Sequence, residues 1–181
     1  MKAPEKLVSA ATFEELAMPL FDQLYNFARW LTQDTAEAED LVQETYTKAL
    51  RGFSSFQAGT NFRAWMYRIL RNSFLSSRTG LKTMVAIDEE GEENLVPAES
   101  TTPESILIEQ ADRAMVQRAL AELPVPSREI LLLCEVEEMS YQEIAETLVI
   151  PIGTVMSRLF RARKGLRDLL RKQVEGGRDG V

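Results

Sequence analysis

Cationic side chains are concentrated in one stretch near the C-terminal end of the sequence. Between Arg158 and Lys172 there are seven Lys or Arg residues and a single acid, Asp168. Guanidinium and ammonium groups on one helix can hold DNA phosphates or pair with the edges of guanine bases, and the sequence leaves open which of the two they do. The stretch therefore predicts a surface that binds nucleic acid.

Two helices are needed to present these cations. Ile144 and Leu148 fall on one face of a first predicted helix, Val155 and Leu159 fall on one face of a second, and residues 149–151 break the pattern between them. Two short helices joined at a tight turn indicate a helix-turn-helix, whose second helix enters the DNA major groove. A helix pair that only packs is the alternative, and the cationic run favours DNA binding.

A second cationic segment lies in the first half of the chain. Residues 61–82 hold five Lys or Arg and no acid, although the whole chain has a net charge of -7. The acids are elsewhere, since residues 83–112 hold nine acids and no base. Two basic islands in an acidic chain predict two separate nucleic-acid surfaces rather than general affinity for polyanions.

Aromatic residues accompany this second segment. The side chains of Arg63, Arg68, Arg71 and Asn72 are expected to fall largely away from the apolar face of a helix, with Tyr67 between them. Rings beside arginines suit single-stranded nucleic acid, because bases stack on rings while cations follow the phosphates. Phe53 and Phe56, in the preceding loop, either serve this purpose or fold onto the core. We favour the core for Phe53, and both interpretations stay open for Phe56.

Helical spacing of apolar residues dominates the sequence, and no strand-like alternation of useful length occurs. We expect an all-α protein with one small helical domain over residues 10–78 and another over residues 105–175. Residues 79–104 contain Gly, Pro and the acidic run DEEGEE and predict a flexible acidic linker. Local signals place a bend at Pro19, helix starts after Asp34 and Asn61, and a helix end at Gly52. The apolar stripe of the helix after Asp34 is expected to contain Ala38, Leu41, Val42, Thr45, Ala49 and Leu50.

Composition excludes several classes of protein. The sequence contains no histidine and one cysteine, Cys134, which removes His-dependent nucleophilic catalysis and zinc sites that need imidazole. No carboxylate cluster beside a Lys or His supports a nucleic-acid enzyme. There is no apolar run of about 20 residues and no signal-peptide hydrophobic region. We expect a non-catalytic, cytoplasmic protein with a buried, inert thiol, no metal, no cofactor and no membrane insertion.

An acidic helix face is expected between the N-terminus and the first basic island. Glu37, Asp40 and Glu44 share this face, with Glu39 and Gln43 alongside. A solvated face is the ordinary interpretation of such a pattern. An ordered acidic stripe that docks on a basic partner is the alternative.

Two long runs resemble a known family. They are AEAEDLVQETYTKALRGFSSFQAGTNFRAWMYRILRN and, further along, LAELPVPSREILLLCEVEEMSYQEIAETLVIPIGTVMSRLFRARKGL. In this order they resemble bacterial RNA polymerase sigma factors, of the extracytoplasmic-function type of the sigma-70 family, which keeps only the second and fourth conserved domains. The resemblance implies sigma region 2 over residues 10–78 and region 4 over residues 105–175. It also implies binding to core RNA polymerase, promoter DNA and an anti-sigma factor.

The resemblance assigns roles to three groups of residues. For docking on the polymerase clamp it implies Glu39, Asp40, Gln43 and Glu44. For melting the −10 element and capturing a flipped, single-stranded base it implies Phe56, Gln57, Asn61, Arg63, Arg71 and Asn72. For the duplex −35 element it implies Thr154, Ser157, Arg158, Phe160 and Arg161. Trp65 is assigned to the core.

Three positions depart from the family pattern. Val149 stands in the turn where glycine or a small polar residue is common, Pro151 stands at the expected start of the recognition helix, and Met156 replaces a frequently basic residue. Promoter preference is therefore not transferred. The sequence looks closest to the oxidative-stress branch paired with zinc-binding anti-sigma factors, and its acidic linker is expected to pass near the polymerase active site. A two-domain helix-turn-helix regulator that works without polymerase is the alternative function.

Overall fold

The computed structural model describes residues 11–79 and 113–176. Within these ranges the chain forms eight α-helices: α1 Phe13–Ala17, α2 Phe21–Thr32, α3 Thr35–Gly52, α4 Phe62–Thr79, α5 Arg113–Glu122, α6 Val125–Leu131, α7 Tyr141–Leu148 and α8 Ile152–Gly176. No strand occurs in the described ranges, and the all-α prediction is confirmed. The predicted linker lies outside the described residues except for Thr79, which ends α4, and residues 105–112 also lie outside them.

The first half, residues 11–79, is built from α1 to α4. A 3₁₀ turn at Met18–Leu20, with Pro19 inside it, bends the chain between α1 and α2 as predicted. The core is formed by buried side chains of α2, α3 and α4: Leu24, Phe27, Leu31, Leu41, Val42, Met66, Tyr67, Leu70 and Phe74. The aliphatic and aromatic area removed from water by these helices is the main source of their stability.

Capping residues fix where the helices of the first half begin. The Asp34 carboxylate accepts a hydrogen bond of 2.8 Å from the Glu37 amide, and Asn61 Oδ1 accepts one of 3.0 Å from the Ala64 amide. Each bond satisfies an amide that has no partner inside the helix, and both predicted caps are confirmed. The prediction for Leu50 is wrong, because its side chain is 60% exposed at the edge of the stripe.

The second half, residues 113–176, contains the predicted helix-turn-helix in α7 and α8. Ser140 and Glu143 form a capping box that starts α7. Val149 ends that helix in the left-handed conformation, with φ 56° and ψ 51°. The recognition helix α8 starts at Ile152, one residue later than expected, because Pro151 lies before the first turn and its carbonyl accepts from the Thr154 amide at 3.0 Å.

The packing of the second half brings α8 against α5, α6 and α7. Its core contains Leu120, Ile130, Leu132, Leu133, Ile144, Leu148, Val155, Leu159, Ala162 and Leu166. At Gly165 an added Cβ would lie 3.2 Å from the Leu123 side chain, so α8 passes close to the end of α5. Cys134 is half-buried rather than buried as expected, and burial raises the pKa of its thiol.

The two halves are packed against each other. Helix α4 contacts α7, and α2 contacts α6. At the α2–α6 contact the buried Arg128 guanidinium donates to the Leu31 carbonyl at 2.9 Å, and within its own half it donates to the Leu120 carbonyl at 2.7 Å. It also bonds the carbonyls of Ala121 and Leu123. One side chain thus bonds carbonyls at the C-terminal ends of two helices.

Candidate nucleic-acid and partner interfaces

The outer face of α8 is the exposed surface of the helix-turn-helix. Among the residues assigned to it, Phe160 is 47% exposed and Arg161 is also exposed. Thr154, Ser157 and Arg158 are half-buried, and the Ser157 hydroxyl donates to the Thr154 carbonyl at 3.1 Å. Phe160 and Arg161 are therefore the side chains of this group that are freest to reach a ligand.

An apolar ridge runs along the same face of α8. Ile152, Met156 and Phe160 are spaced by four residues and are 48%, 38% and 47% exposed. Side chains at this spacing lie one above the other on a helix. In a DNA major groove, apolar side chains contact the thymine methyl group. Sequence reasoning treated Met156 only as a departure from the family and missed Ile152. The spacing of four residues could have identified both as members of the ridge.

One of the cations counted on α8 is engaged within its own half. Arg163 Nη2 lies 2.6 Å from Glu135 Oε1, on the π-helical turn Leu132–Val136 that continues α6. Arg161 and Lys164, by contrast, lie next to the apolar ridge and are both exposed. The cationic run is thus divided between an outer face that can meet DNA and a face that holds the domain together.

The basic face of α4 points toward the second half. Arg71 Nε lies 2.8 Å from the Glu129 carboxylate, and Arg63 Nη2 lies 2.5 Å from the Glu137 carbonyl and 3.5 Å from its carboxylate. Arg68 donates to the Glu146 carbonyl at 2.5 Å. The structure therefore brings together the three arginines predicted from the spacing, and it covers them with the other half of the chain.

Tyr67 is a core residue rather than an exposed ring between the arginines, so that part of the prediction is wrong. Its side chain is 0% exposed, and its hydroxyl donates to the Glu137 carboxylate of the second half. Burial and the adjacent Glu137 raise the pKa of Tyr67 far above its usual value. Burial also raises the pKa of Glu137, against the opposing effects of the Tyr67 hydrogen bond and Arg63. The phenol therefore acts as a neutral donor between the two halves.

An aromatic cluster supports the loop before α4. Phe53 and Phe56 stack with ring centroids 6.2 Å apart, and Phe56 meets Phe62 edge-on at 5.2 Å and Trp65 at 5.1 Å. Phe53 also contacts Phe13 at 5.5 Å, as expected for a ring folded onto the core. All of these rings except that of Phe13 lie between α3 and the start of α4. Phe56 is half-buried, so one part of the ring packs while another faces solvent.

An open groove of about 730 Å³ lies beside this cluster. One wall is formed by the loop and α4, including Phe56, Gln57, Asn61, Trp65 and Arg68, and the other by Gln142, Glu143 and Glu146 of α7. Asn61 Nδ2 donates to Glu143 Oε1 across it at 3.1 Å. Gln57 and Asn72 are exposed, whereas Asn61, Arg63 and Arg71 are only partly accessible.

The acidic face of α3 is exposed to solvent. Glu39, Asp40, Gln43 and Glu44 all lie on it, and Glu44 pairs with Lys48 at 2.5 Å. Next to Glu39 and Gln43 there is an apolar pocket of about 400 Å³ that sequence reasoning missed. It is lined by Phe21, Tyr25, Val42 and Tyr46, and the Phe21 and Tyr25 rings are parallel at 6.4 Å. The face therefore combines carboxylates with exposed aromatic area, a combination common in protein interfaces.

Residues 11–79 and 113–176 offer neither a membrane span nor a metal centre. No helix there is both long enough and apolar enough to cross a membrane. Residues 11–79 and 113–176 contain no group of three or more His, Cys, Asp or Glu side chains that could hold a metal ion.

Comparison with known proteins matches both halves to family models. Residues 16–82 match "Sigma-70 region 2" and residues 113–166 match "Sigma-70, region 4". The chain is 40% identical over 172 residues to "ECF RNA polymerase sigma factor SigE" of Mycolicibacterium smegmatis, covering 90% of this chain and 66% of that protein. It is 31% identical over 157 residues to "ECF RNA polymerase sigma factor SigW" of Bacillus subtilis, covering 83% and 84%.

A solved structure with a similar fold agrees with these matches. It is the sigma factor RpoE in complex with the anti-sigma factor NepR from Bartonella quintana. The TM-score is 0.67 at 31% identity, with 88% of this chain and 96% of that chain covered.

Proposed function

Since the chain belongs to the sigma-70 family, among the extracytoplasmic-function sigma factors of RNA polymerase, we propose that three of its surfaces divide the work of promoter recognition. As a sigma factor it directs core RNA polymerase to promoters and assists their opening. It does so as a non-catalytic subunit that contributes binding surfaces. The observation that carries the proposal is the occurrence of regions 2 and 4 in order, each with its own basic surface.

Helix α8 is the element proposed to bind the duplex −35 DNA. Its outer face offers the exposed Arg161 for phosphates or guanine edges, and the ridge of Ile152, Met156 and Phe160 for thymine methyl groups. A mixed ridge of this kind predicts a −35 element that contains thymines. Because these side chains stand on a long helix with a packed inner face, they can be positioned before DNA arrives.

The loop at Phe56 and the basic face of α4 are proposed to hold the single-stranded −10 element. Phe56 provides ring surface, while Arg63 and Arg71 provide charge for the phosphate backbone. Gln57, Asn61 and Asn72 add amides that can read a flipped base. Unstacking a base costs a few kcal/mol, and this combination of stacking and hydrogen bonds can offset that cost.

The acidic face of α3 is proposed to dock on the polymerase clamp. Glu39, Asp40, Gln43 and Glu44 supply charge, and the neighbouring pocket between Phe21 and Tyr46 supplies apolar area. An acidic face that only solvates the helix would not need such a pocket beside it. Binding of core polymerase by the Asp40→Lys variant tests this assignment. Glu14→Lys, which makes the same charge change at an exposed site on α1, is the control.

An anti-sigma factor is proposed as a further partner. The support is the structure of a sigma factor bound to an anti-sigma factor, which is 31% identical to this chain over most of its length. We further propose, from the sequence resemblance to the oxidative-stress branch, that this partner binds zinc. Co-purification from the native host, followed by metal analysis of the partner, tests both statements separately.

The deciding experiment is transcription in a purified system. Core RNA polymerase is combined with this chain and a genomic DNA library, and the transcript start sites are mapped. A sigma factor yields transcripts that share a −35 and a −10 sequence and that are absent with core enzyme alone. A helix-turn-helix regulator without sigma activity would bind DNA and yield no transcripts, which would overturn the proposal.

A further inference from the structure

We propose that Met156 is a specificity-determining residue of the −35 contact, and that it reads the 5-methyl group of a pyrimidine in the major groove. Thymine and 5-methylcytosine are bound at its position, whereas uracil and unmodified cytosine are bound more weakly. The inference rests on the proposed −35 role of α8. It adds the chemical group that one side chain recognises, and it extends recognition to a methylated base.

Met156 stands in the middle of an exposed apolar surface. Ile152 lies one turn before it and Phe160 one turn after it, each about 6 Å away along the helix axis. All three side chains are exposed, so they form an apolar strip outside the core of the second half. A methyl group placed against Met156 would have apolar neighbours on both sides, and its removal from water favours binding.

The polar side chains around this strip are engaged within the second half. The Ser157 hydroxyl donates to the Thr154 carbonyl at 3.1 Å. Residues 152–160 contain one cation, Arg158, which is half-buried. Burial raises the pKa of Glu129 on α6, and Arg158 is one of the cations that oppose this rise, so it lies near a buried carboxylate of its own half. This part of α8 therefore meets DNA mainly through apolar contact.

A gap in the side chains lies beside Met156. Gly153 is exposed, and a Cβ added there would have nothing within 4 Å, so the fold of the second half does not need glycine at this position. Glycine also makes a helix less stable than alanine does. Residues three apart are neighbours on a helix surface, so the gap is next to the Met156 side chain. It lets a base edge approach that side chain closely.

The side chains at this point discriminate bases by the methyl group. In the major groove thymine presents the O4 acceptor and the 5-methyl group, whereas cytosine presents the N4 donor. The Met156 thioether is only a weak acceptor, and Gly153 has no side chain, so neither separates O4 strongly from N4. The remaining difference is the methyl group, which 5-methylcytosine carries at the same ring position as thymine.

Cationic contacts belong to a later part of the helix. Arg161 and Lys164 are exposed and follow Met156 by five and eight residues. They can hold phosphates or guanine edges. Contacts with phosphates weaken as salt is raised, because counterions compete with them. Discrimination by an apolar contact should not depend on salt, so the two parts of α8 can be told apart.

The base that Met156 contacts is located by selection. Duplex DNA with a random stretch is selected by the full chain, with core polymerase and without it, and the bound DNA is sequenced. In Met156→Arg a pyrimidine preference at one position should change to guanine, because arginine pairs with the guanine edge. If Met156→Arg and the parent enrich the same sequence, or the parent enriches none, the proposal is wrong.

Val174→Arg is the matched control for this selection. Val174 is exposed on the same helix, eighteen residues after Met156. Eighteen residues make five full turns, so the control adds the same charge on the same face about 27 Å away. It should select the parent sequence.

The methyl contact is measured as a double-mutant cycle between protein and DNA. Fluorescein-labelled duplexes of the selected site carry thymine or uracil at the located position, and binding is followed by anisotropy. The parent should bind the thymine duplex about fourfold more tightly, as expected for the burial of one methyl-sized group. In Met156→Ala the ratio should fall close to one, whereas Val174→Ala should keep the parent ratio.

A second pair of duplexes separates the methyl group from the base. With guanine on the opposite strand, the parent should bind 5-methylcytosine about fourfold more tightly than cytosine, and Met156→Ala should bind the two alike. Both ratios should stay constant between about 50 and 200 mM salt, while the affinities themselves fall. Equal binding of thymine and uracil by the parent, or the same ratio in Met156→Ala, overturns the proposal.

The outcome is separable from that of the proposed function. If the chain directs transcription by core polymerase but the parent binds thymine and uracil duplexes alike, the sigma function stands and the methyl contact is wrong. If the cycle shows the methyl contact but no transcript is formed, the methyl contact stands and the sigma function is wrong. Circular dichroism of Met156→Ala and Met156→Arg verifies that both variants keep their helices.

Discussion

Val149 holds the turn of the helix-turn-helix in a conformation that its side chain opposes. Its φ of 56° and ψ of 51° place a β-branched residue in the left-handed region, where L residues other than glycine are disfavoured by about 1–2 kcal/mol. The amides of Val149 and Ile150 both donate to the Ala145 carbonyl, which fixes the turn. Replacing Val149 with glycine should remove the strain without disturbing these bonds.

The expected size of this effect follows from the exposure of the residue. Val149 is 70% exposed, so little packing is lost on truncation. Glycine gives back about 0.5–1 kcal/mol through its greater freedom in the unfolded chain. The Val149→Gly variant should therefore be more stable by about 0.5–1 kcal/mol. For a chain of this size the midpoint of thermal unfolding should rise by about 1–4 °C.

Thermal and urea unfolding followed by circular dichroism provide the measurement. The control is Val174→Gly, which makes the same change at a 47% exposed valine inside α8. There glycine only loses helix propensity relative to valine, so stability should fall by a few tenths of a kcal/mol. The reasoning is refuted if both variants shift the midpoint in the same direction.

Four other predictions concern single side chains. Arg128→Ala should lower stability by several kcal/mol, measured by urea unfolding, because it removes a buried guanidinium that bonds four carbonyls. Asp34→Ala should lose about 1 kcal/mol in the same assay, since the Glu37 amide loses its cap. Tyr46 donates to the Ala17 carbonyl at 2.7 Å, and burial, with Asp22 nearby, raises its pKa to about 12. The stabilising contribution of the Tyr46 hydroxyl is thus complete below pH about 10 and is lost as the pH rises through about 12. In a pH titration followed by phenolate absorbance, the Tyr46→Phe variant should lack the part of the signal that the parent protein gains near pH 12. Arg161→Ala should reduce promoter-dependent transcription by about 5-fold or more, whereas Lys172→Ala, an exposed cation further along α8, should not.

The local features of this chain were predictable because their causes lie within a few residues. The caps at Asp34 and Asn61 depend on a side chain and an amide three residues later, and the apolar faces of α7 and α8 depend on helical spacing. Leu50 was misplaced because it stands at the edge of the stripe, where one residue of helical phase decides between core and solvent.

The features that escaped prediction depend on residues far apart in sequence. The Tyr67 hydroxyl donates to Glu137, 70 positions away, and Arg71 pairs with Glu129, 58 positions away. A basic helix and an acidic segment read separately suggest two exposed surfaces, because nothing in the spacing indicates that they meet. The roles assigned to the three groups of site residues stay predictions until the variants are measured.

The caps of α4 and α7 have a mechanical consequence. Asn61 caps α4 through its Oδ1 and bonds Glu143 through its Nδ2, while Glu143 belongs to the capping box of α7. The bond between the halves therefore joins two helix ends that are each already closed by residues of their own half. Loss of this bond therefore leaves both caps in place, because each cap is made by residues of its own half.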